Sequence, residues 1–133
     1  MSYLLDTNVC IVFLSQRSAQ VSLRFMAVPE PDKIVCSIVR AELFYGAYKS
    51  QQSQASLQRI QQFLANLPTL PFDDVAALHY GQFRAELARQ GTPIGQHDLQ
   101  IAAIAAAHNL TLVTHNTREF SRIPNLQLED WEI

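Results

Sequence analysis

A chain of 133 residues suits one compact domain, and with 48% hydrophobic residues it can bury a core without disulfide staples. Ten basic against twelve acidic residues leave a formal charge of −2, which excludes a protein that holds nucleic acid by bulk basicity; attraction to phosphate has to be local and cation-dependent. No stretch approaches the roughly 18 apolar residues of a membrane span, the opening MSYLLD is not leader-like, and Cys10 and Cys36, each in an apolar run, fit buried thiols in a reducing cytoplasm.

Tyr3–Asp6 reads as a buried strand running into Asp6-Thr7-Asn8, residue types that turn a strand into a helix start. A helical region covers Val9 to Leu14 and then Ala19 to Ala27. Pro29-Glu30-Pro31-Asp32 punctuates the chain, and Lys33–Ser37 forms a second short strand. Ile38–Lys49 is predicted helical with Val39, Leu43 and Ala47 on one stripe. Ser53–Leu67 is predicted helical through Leu57, Ile60, Phe63, Leu64 and Leu67, and stops before Pro68. Thr69–Phe72 is a third strand. Asp73 or Asp74 then caps a helix carrying Ala76, Tyr80, Phe83 and Leu87, which Gly91 ends. His97–Asn109 is an alanine-rich helix able to pack close to a sheet, and Thr111–Thr114 is a fourth strand. The tail from Glu119 holds a short helical turn, Pro124 and a last strand near Leu126–Leu128. This alternation predicts an α/β fold in one domain over 1–133: a three-layer sandwich whose central, mostly parallel sheet of four to five short strands is flanked by helices.

In open parallel sheets function gathers at the carboxyl ends of the strands. Four polar residues fall near that edge: Asp6 closing the first strand, Glu42 one turn into the helix after the second, Asp98 opening the helix before the fourth, and Asn116 two residues past the fourth. Each has an ordinary reading taken singly, as a cap, a solvated glutamate, a first-turn carboxylate or a turn residue. Placement argues otherwise. Asp98 shares a helical face with Ile101, Ala102 and Ala105, and no lysine or arginine at a neighbouring helical position pairs with it. Glu42 borders the buried side between Val39 and Gly46. A cation shared by Asp6, Glu42 and Asp98 resolves repulsion and desolvation together, and hard oxygen donors suit Mg²⁺, with Mn²⁺ able to substitute, rather than zinc. Such an ion supports phosphodiester hydrolysis by orienting a phosphate and offsetting charge on the leaving oxygen.

Asp6-Thr7-Asn8, Ser37 with Ala41-Glu42-Leu43 and Tyr45-Gly46, Thr92-Pro93-Ile94-Gly95 leading to Asp98, Ile101-Ala102-Ala103, and Leu112-Val113-Thr114-His115-Asn116 with Glu119-Phe120 together resemble the signature of PIN-domain ribonucleases. Arg122-Ile123-Pro124 and Leu128-Glu129-Asp130-Trp131 resemble the ending of enteric VapC toxins of VapBC toxin–antitoxin systems, and the likeness spans essentially the whole chain. The resemblance implies a PIN-like sandwich and an Mg²⁺ site at Asp6, Glu42 and Asp98. It puts Asn116 as a catalytic residue where many relatives carry a fourth acid, so the implied second metal site is weaker. Thr7, Asn8, Ser37, Thr114 and Glu119 stand as supporting or substrate-contacting residues. It also implies endonucleolytic RNA cleavage, with initiator tRNA cut in its anticodon loop and translation stopped. The implied partners are a VapB-type antitoxin and a second copy in a homodimer, extending to a toxin–antitoxin hetero-oligomer, with no membrane. Gln96-His97 departs from the proline and aromatic of the nearest relatives and bears on how the loop presents Asp98.

The other polar candidates are less patterned. His79, His97, His108 and His115 lack zinc-ligand spacing, although His97 and His115 flank proposed site residues. Arg84, Arg89, Arg118 and Arg122 are candidate phosphate contacts, with solvated surface charge the commoner role. Among rival functions, a haloacid-dehalogenase-like phosphatase needs a second aspartate where this chain has Asn8, and a receiver domain with Asp73 or Asp74 needs a lysine that THN lacks. A non-catalytic RNA- or antitoxin-binding module passes the same residue check.

Overall fold

The computed structural model describes residues 1–133. Five short strands, β1 (Tyr3–Leu5), β2 (Lys33–Cys36), β3 (Thr69–Leu70), β4 (Thr111–Val113) and β5 (Leu128–Glu129), form one sheet in the order β3-β2-β1-β4-β5. Every neighbouring pair is parallel, with Leu4 beside Ile34 on one flank and beside Leu112 on the other. Parallel neighbours require crossovers, and helices supply them: α1 (Thr7–Ser15) and α2 (Ala19–Ala27) lead from β1 to β2, α3 (Ser37–Lys49) and α4 (Ser53–Leu64) from β2 to β3. Then α5 (Asp74–Gln90) and α6 (Gln96–Ala107) carry the chain past β1 to β4, and the short α7 (Thr117–Phe120) precedes β5.

The sheet is therefore built outward from β1 in two directions. β2 lies on one side and β4 on the other, so the connections diverge beyond the carboxyl end of β1, which is where Asp6 sits. A parallel sheet covered by helices has no wet face, and the central strands accordingly read as unbroken apolar runs: Leu4, Leu5, Val35, Leu112 and Val113 are all fully buried. Small residues on α6, Ala102, Ala103 and Ala105, are buried with Ile101 and Ile104. Trp131, 1% exposed, closes the far side with its ring edge-on to Tyr3 at 5.5 Å between centroids.

Local chemistry sets most of the boundaries. Asp73 accepts the Ala76 N–H at 3.0 Å and caps α5, while Gly91 ends that helix at φ +69°, a conformation open to glycine. Three expectations shift. The helix expected to reach Leu67 ends at Leu64, because Leu67 precedes Pro68 and closes a turn onto the Leu64 carbonyl instead. The strand expected over Thr69–Phe72 stops at Leu70, since Pro71 has no N–H to extend the ladder. The last strand falls at Leu128–Glu129 rather than Leu126–Leu128, because pairing with Leu112 and Val113 follows a left-handed turn at Asn125, φ +65°.

β1 is the strand on which both halves of the sheet depend. Leu4→Ala is expected to lower unfolding free energy by about 2–5 kcal/mol, read as a lower urea midpoint at an unchanged slope. A midpoint within error of the parent would contradict the central placement of β1.

Candidate active site

Asp6 stands at the junction of β1 and α1 and is 6% exposed. Its backbone leaves the strand in extended geometry, φ −78° and ψ 171°, and its Oδ1 accepts the Val9 N–H at 2.9 Å, so the side chain is the N-cap of α1. Burial drives its pKa up from 3.8 to about 6. The Thr114 hydroxyl and the Val9 N–H work against that rise, and the charges of Asp98 and Glu42 add to it. Asp98, in the first turn of α6, is also raised, first by burial, then by the charges of Glu119 and Glu42, with His97 opposing.

Glu42 comes from the first half of α3. Thr7 donates a short hydrogen bond to its Oε1, and the His97 Nδ1 lies 3.2 Å from its Oε2. Beyond β4, the Asn116 side-chain amide donates to Glu119 Oε2, and the Asn116 N–H donates to Thr114 Oγ1 at 3.0 Å. No lysine or arginine nitrogen comes within 4.0 Å of Asp6, Glu42, Asp98 or Glu119. The buried Lys33 does not offset them; it lies at the amino end of β2 and donates to the Phe25 carbonyl at 2.9 Å.

Four elements thus bring carboxylates from distant parts of the chain within range of one another's charge. The donors are all hard oxygens, the set that suits a divalent cation of the magnesium type. No three His, Cys, Asp or Glu side chains close to a common coordination shell, and Glu42 makes its hydrogen bonds with Thr7 and His97. Mutual repulsion and the absence of a lysine or arginine partner fit the residues to a cation.

Of the supporting residues, Thr7 and Thr114 bond within the cluster and Glu119 holds Asn116. Asn8 is exposed, Ser37 opens α3, and neither hydrogen-bonds a cluster acid. Among the arginines, Arg89 pairs with Glu86, Arg84 donates to the Tyr80 hydroxyl and Arg122 to the Pro93 carbonyl, while Arg118 makes no side-chain hydrogen bond. Two contacts go beyond the sequence reading: His97 on Glu42, and His115 on Asp130 at 2.9 Å. They join residues 55 and 15 positions apart, and only adjacency to site residues had marked either histidine. Both cysteines are buried, which pushes their thiols up and leaves them inert at neutral pH.

Acids at the carboxyl edge of a parallel sheet in the order β3-β2-β1-β4-β5 define a class, and the PIN domain family model matches residues 3–126, so the chain belongs to the PIN-domain family. PIN-domain nucleases are generally dependent on a divalent metal. Relatives matched over nearly their whole length include VapC ribonucleases. The chain is 43% identical over 131 residues, 98% of each protein, to the tRNA(fMet)-specific endonuclease VapC of Shigella flexneri. Its fold overlays DNA-bound VapBC from Salmonella typhimurium at a TM-score of 0.92 and 41% identity, covering 98% of both chains. It overlays VapBC2 from Rickettsia felis, bound to a promoter fragment, at 0.89 and 39% identity, covering 98% and 99%.

The raised pKa of Asp6 has a consequence for stability. Between the ordinary carboxylate range and about pH 6 the folded chain holds a proton that the unfolded chain releases, so stability falls as pH rises through that window. The full change is on the order of 3 kcal/mol for this group alone. Asp6→Asn keeps a capping oxygen and removes the charge. In metal-free buffer it is expected to unfold at higher urea than the parent at pH 7, and to lose that advantage below about pH 4. An Asp6→Asn chain no more stable than the parent at pH 7 would contradict the buried, repelled carboxylate.

Proposed function

We propose that this chain is the toxin half of a toxin–antitoxin pair: a cytoplasmic, metal-dependent endoribonuclease that cleaves RNA phosphodiester bonds and stops translation. The observation that carries the proposal is the acid cluster at the carboxyl edge, buried at Asp6 and half-buried at Glu42 and Asp98, with no lysine or arginine partner. Whole-length similarity to proteins named tRNA(fMet)-specific endonuclease VapC supports initiator tRNA as the target. The VapBC complexes among its structural neighbours support a VapB-type antitoxin as partner, and the proposed assembly is a homodimer within a toxin–antitoxin hetero-oligomer. Exposed apolar side chains on α2, α3 and α5, among them Leu23, Met26, Tyr48 and Leu78, supply area for both partners. All 133 residues form one PIN unit in this reading, because β5, reached through α7, completes the sheet beside β4.

Asp6, Glu42 and Asp98 would hold Mg²⁺, with Mn²⁺ as substitute. When bound, the ion supplies charge neutralisation for the phosphate and acidifies the attacking water. The chain's own groups do the rest. Val9 and Thr114 fix the orientation of the Asp6 carboxyl, and Thr7 and His97 hold the Glu42 carboxylate in the metal-free chain. Asn116, tied to Glu119 through its amide nitrogen, keeps its carbonyl oxygen for a water or the substrate and adds no charge to an already acidic pocket. The alternative, a non-catalytic RNA- or antitoxin-binding module on the same scaffold, draws on the one observation that no three ligating side chains close to a shell.

Purified chain freed of antitoxin is expected to cut RNA with Mg²⁺ or Mn²⁺ and not with EDTA, and Asp6→Asn to lower the rate by more than about a hundredfold. Sequencing of new 5′ ends from total RNA is expected to place the cuts in the anticodon loop of initiator tRNA. Cleavage that survives EDTA, or an Asp6→Asn chain as fast as the parent, excludes the metal reading. A folded parent that binds RNA and never cuts it establishes the module instead.

A further inference from the structure

His115 follows β4 directly, precedes Asn116, and lies near enough to Asp6 for the two charges to interact. Its Nδ1 is 2.9 Å from Asp130 Oδ2 and 3.7 Å from Glu132 Oε2. Asp130 is set before the ring meets it: its side chain is 11% exposed, and its other oxygen accepts the Glu132 N–H at 2.9 Å. Buried Trp131 anchors the same turn. The imidazole itself is 60% exposed, and its Nε2 has no protein partner.

The result is an oriented histidine. One ring edge is committed to a fixed carboxylate, and the other is open at the rim of the acid pocket. A carboxylate on Nδ1 fixes the tautomer and favours the imidazolium, whose outward Nε2–H is a charge-assisted donor. The hydrogen bond that Nδ1–H donates to Asp130 and the charges of Glu132, Asp130 and Asp6 indeed hold the His115 pKa above the ordinary histidine value, against an opposing effect of burial. Asp130 and Glu132 both lie on the Nδ1 edge, which leaves Nε2 without an acid partner. On a chain of net charge −2, with no lysine or arginine beside the cluster acids, such a donor is what a polyanionic strand needs at this edge.

We propose that His115 is a substrate-binding residue whose Nε2–H takes a backbone phosphate of the RNA next to the cluster, with Asp130 as its positioning residue. Arg118, three residues on, is exposed and makes no side-chain hydrogen bond. The inference rests on the RNA-cleaving reading above and names the contact by which the strand is held.

The test measures anisotropy of a fluorescein-labelled stem–loop RNA on Asp6→Asn chain, which binds without cutting, and steady-state cleavage on chain that keeps Asp6. His115→Asn is expected to weaken binding and raise KM by about three- to tenfold, with the loss carried by KM rather than kcat. It is also expected to reduce the slope of log Kd against log salt by about 0.7, the value for one single-stranded phosphate contact. His115→Arg is expected to restore both. If His115→Asn matches the parent in affinity and salt slope, whatever its thermal stability, the His115–Asp130 pair only staples the tail and the proposal is overturned. If binding depends on His115 but the parent cuts no RNA with any divalent ion, the nuclease reading fails while the phosphate contact stands.

Discussion

Like charges gathered in a partly dry pocket are the constraint around which the rest of this molecule is arranged. Asp6 is buried, its proton affinity is raised, and Asp98 and Glu42 press it the same way from two other helices. A group in that position costs stability once ionised, and chains do not keep such a cost without a use. The fold meets part of it locally by making Asp6 the cap of α1, so that one carboxyl oxygen is matched to a backbone N–H and lies at the positive end of a helix. The remainder is what a divalent cation would neutralise.

The sheet explains why the acids meet. β1 is central, and the chain departs from it first toward β2 and later toward β4, so the connections part beyond its carboxyl end. Helix α3 begins directly after β2 and brings Glu42 to that gap; α6 enters it with Asp98; the turn after β4 adds Asn116 and Glu119. Rigid elements carry the three acids, and a smaller set of hydroxyls and histidines decides how each carboxylate is turned.

Much of this was legible in the amino-acid sequence because it depends on short-range chemistry. Proline, glycine and capping residues mark most element ends, and unbroken apolar runs such as Leu4-Leu5 and Leu112-Val113 announce strands covered on both faces. Asp6, Glu42 and Asp98 were marked by their place after strands and beside buried stripes, and the structure puts them within range of one another's charge. The lengths of β3 and α4 were overestimated because apolar residues continue past the point where a proline removes the hydrogen bond. The partners of His97 and His115 were not legible at all. Each pairing is made by tertiary packing, the first by α3 beside α6 and the second by the tail turned back along β4.

The central claim is that the three carboxylates are ligands of one cation, and the most direct measurement is the anomalous difference map of crystals grown with Mn²⁺. The account predicts a peak bounded by Asp6, Glu42 and Asp98, with the Glu42 carboxylate turned away from His97 to reach it. A map with no peak at the carboxyl edge, or a peak elsewhere while Glu42 stays on Thr7 and His97, would contradict it.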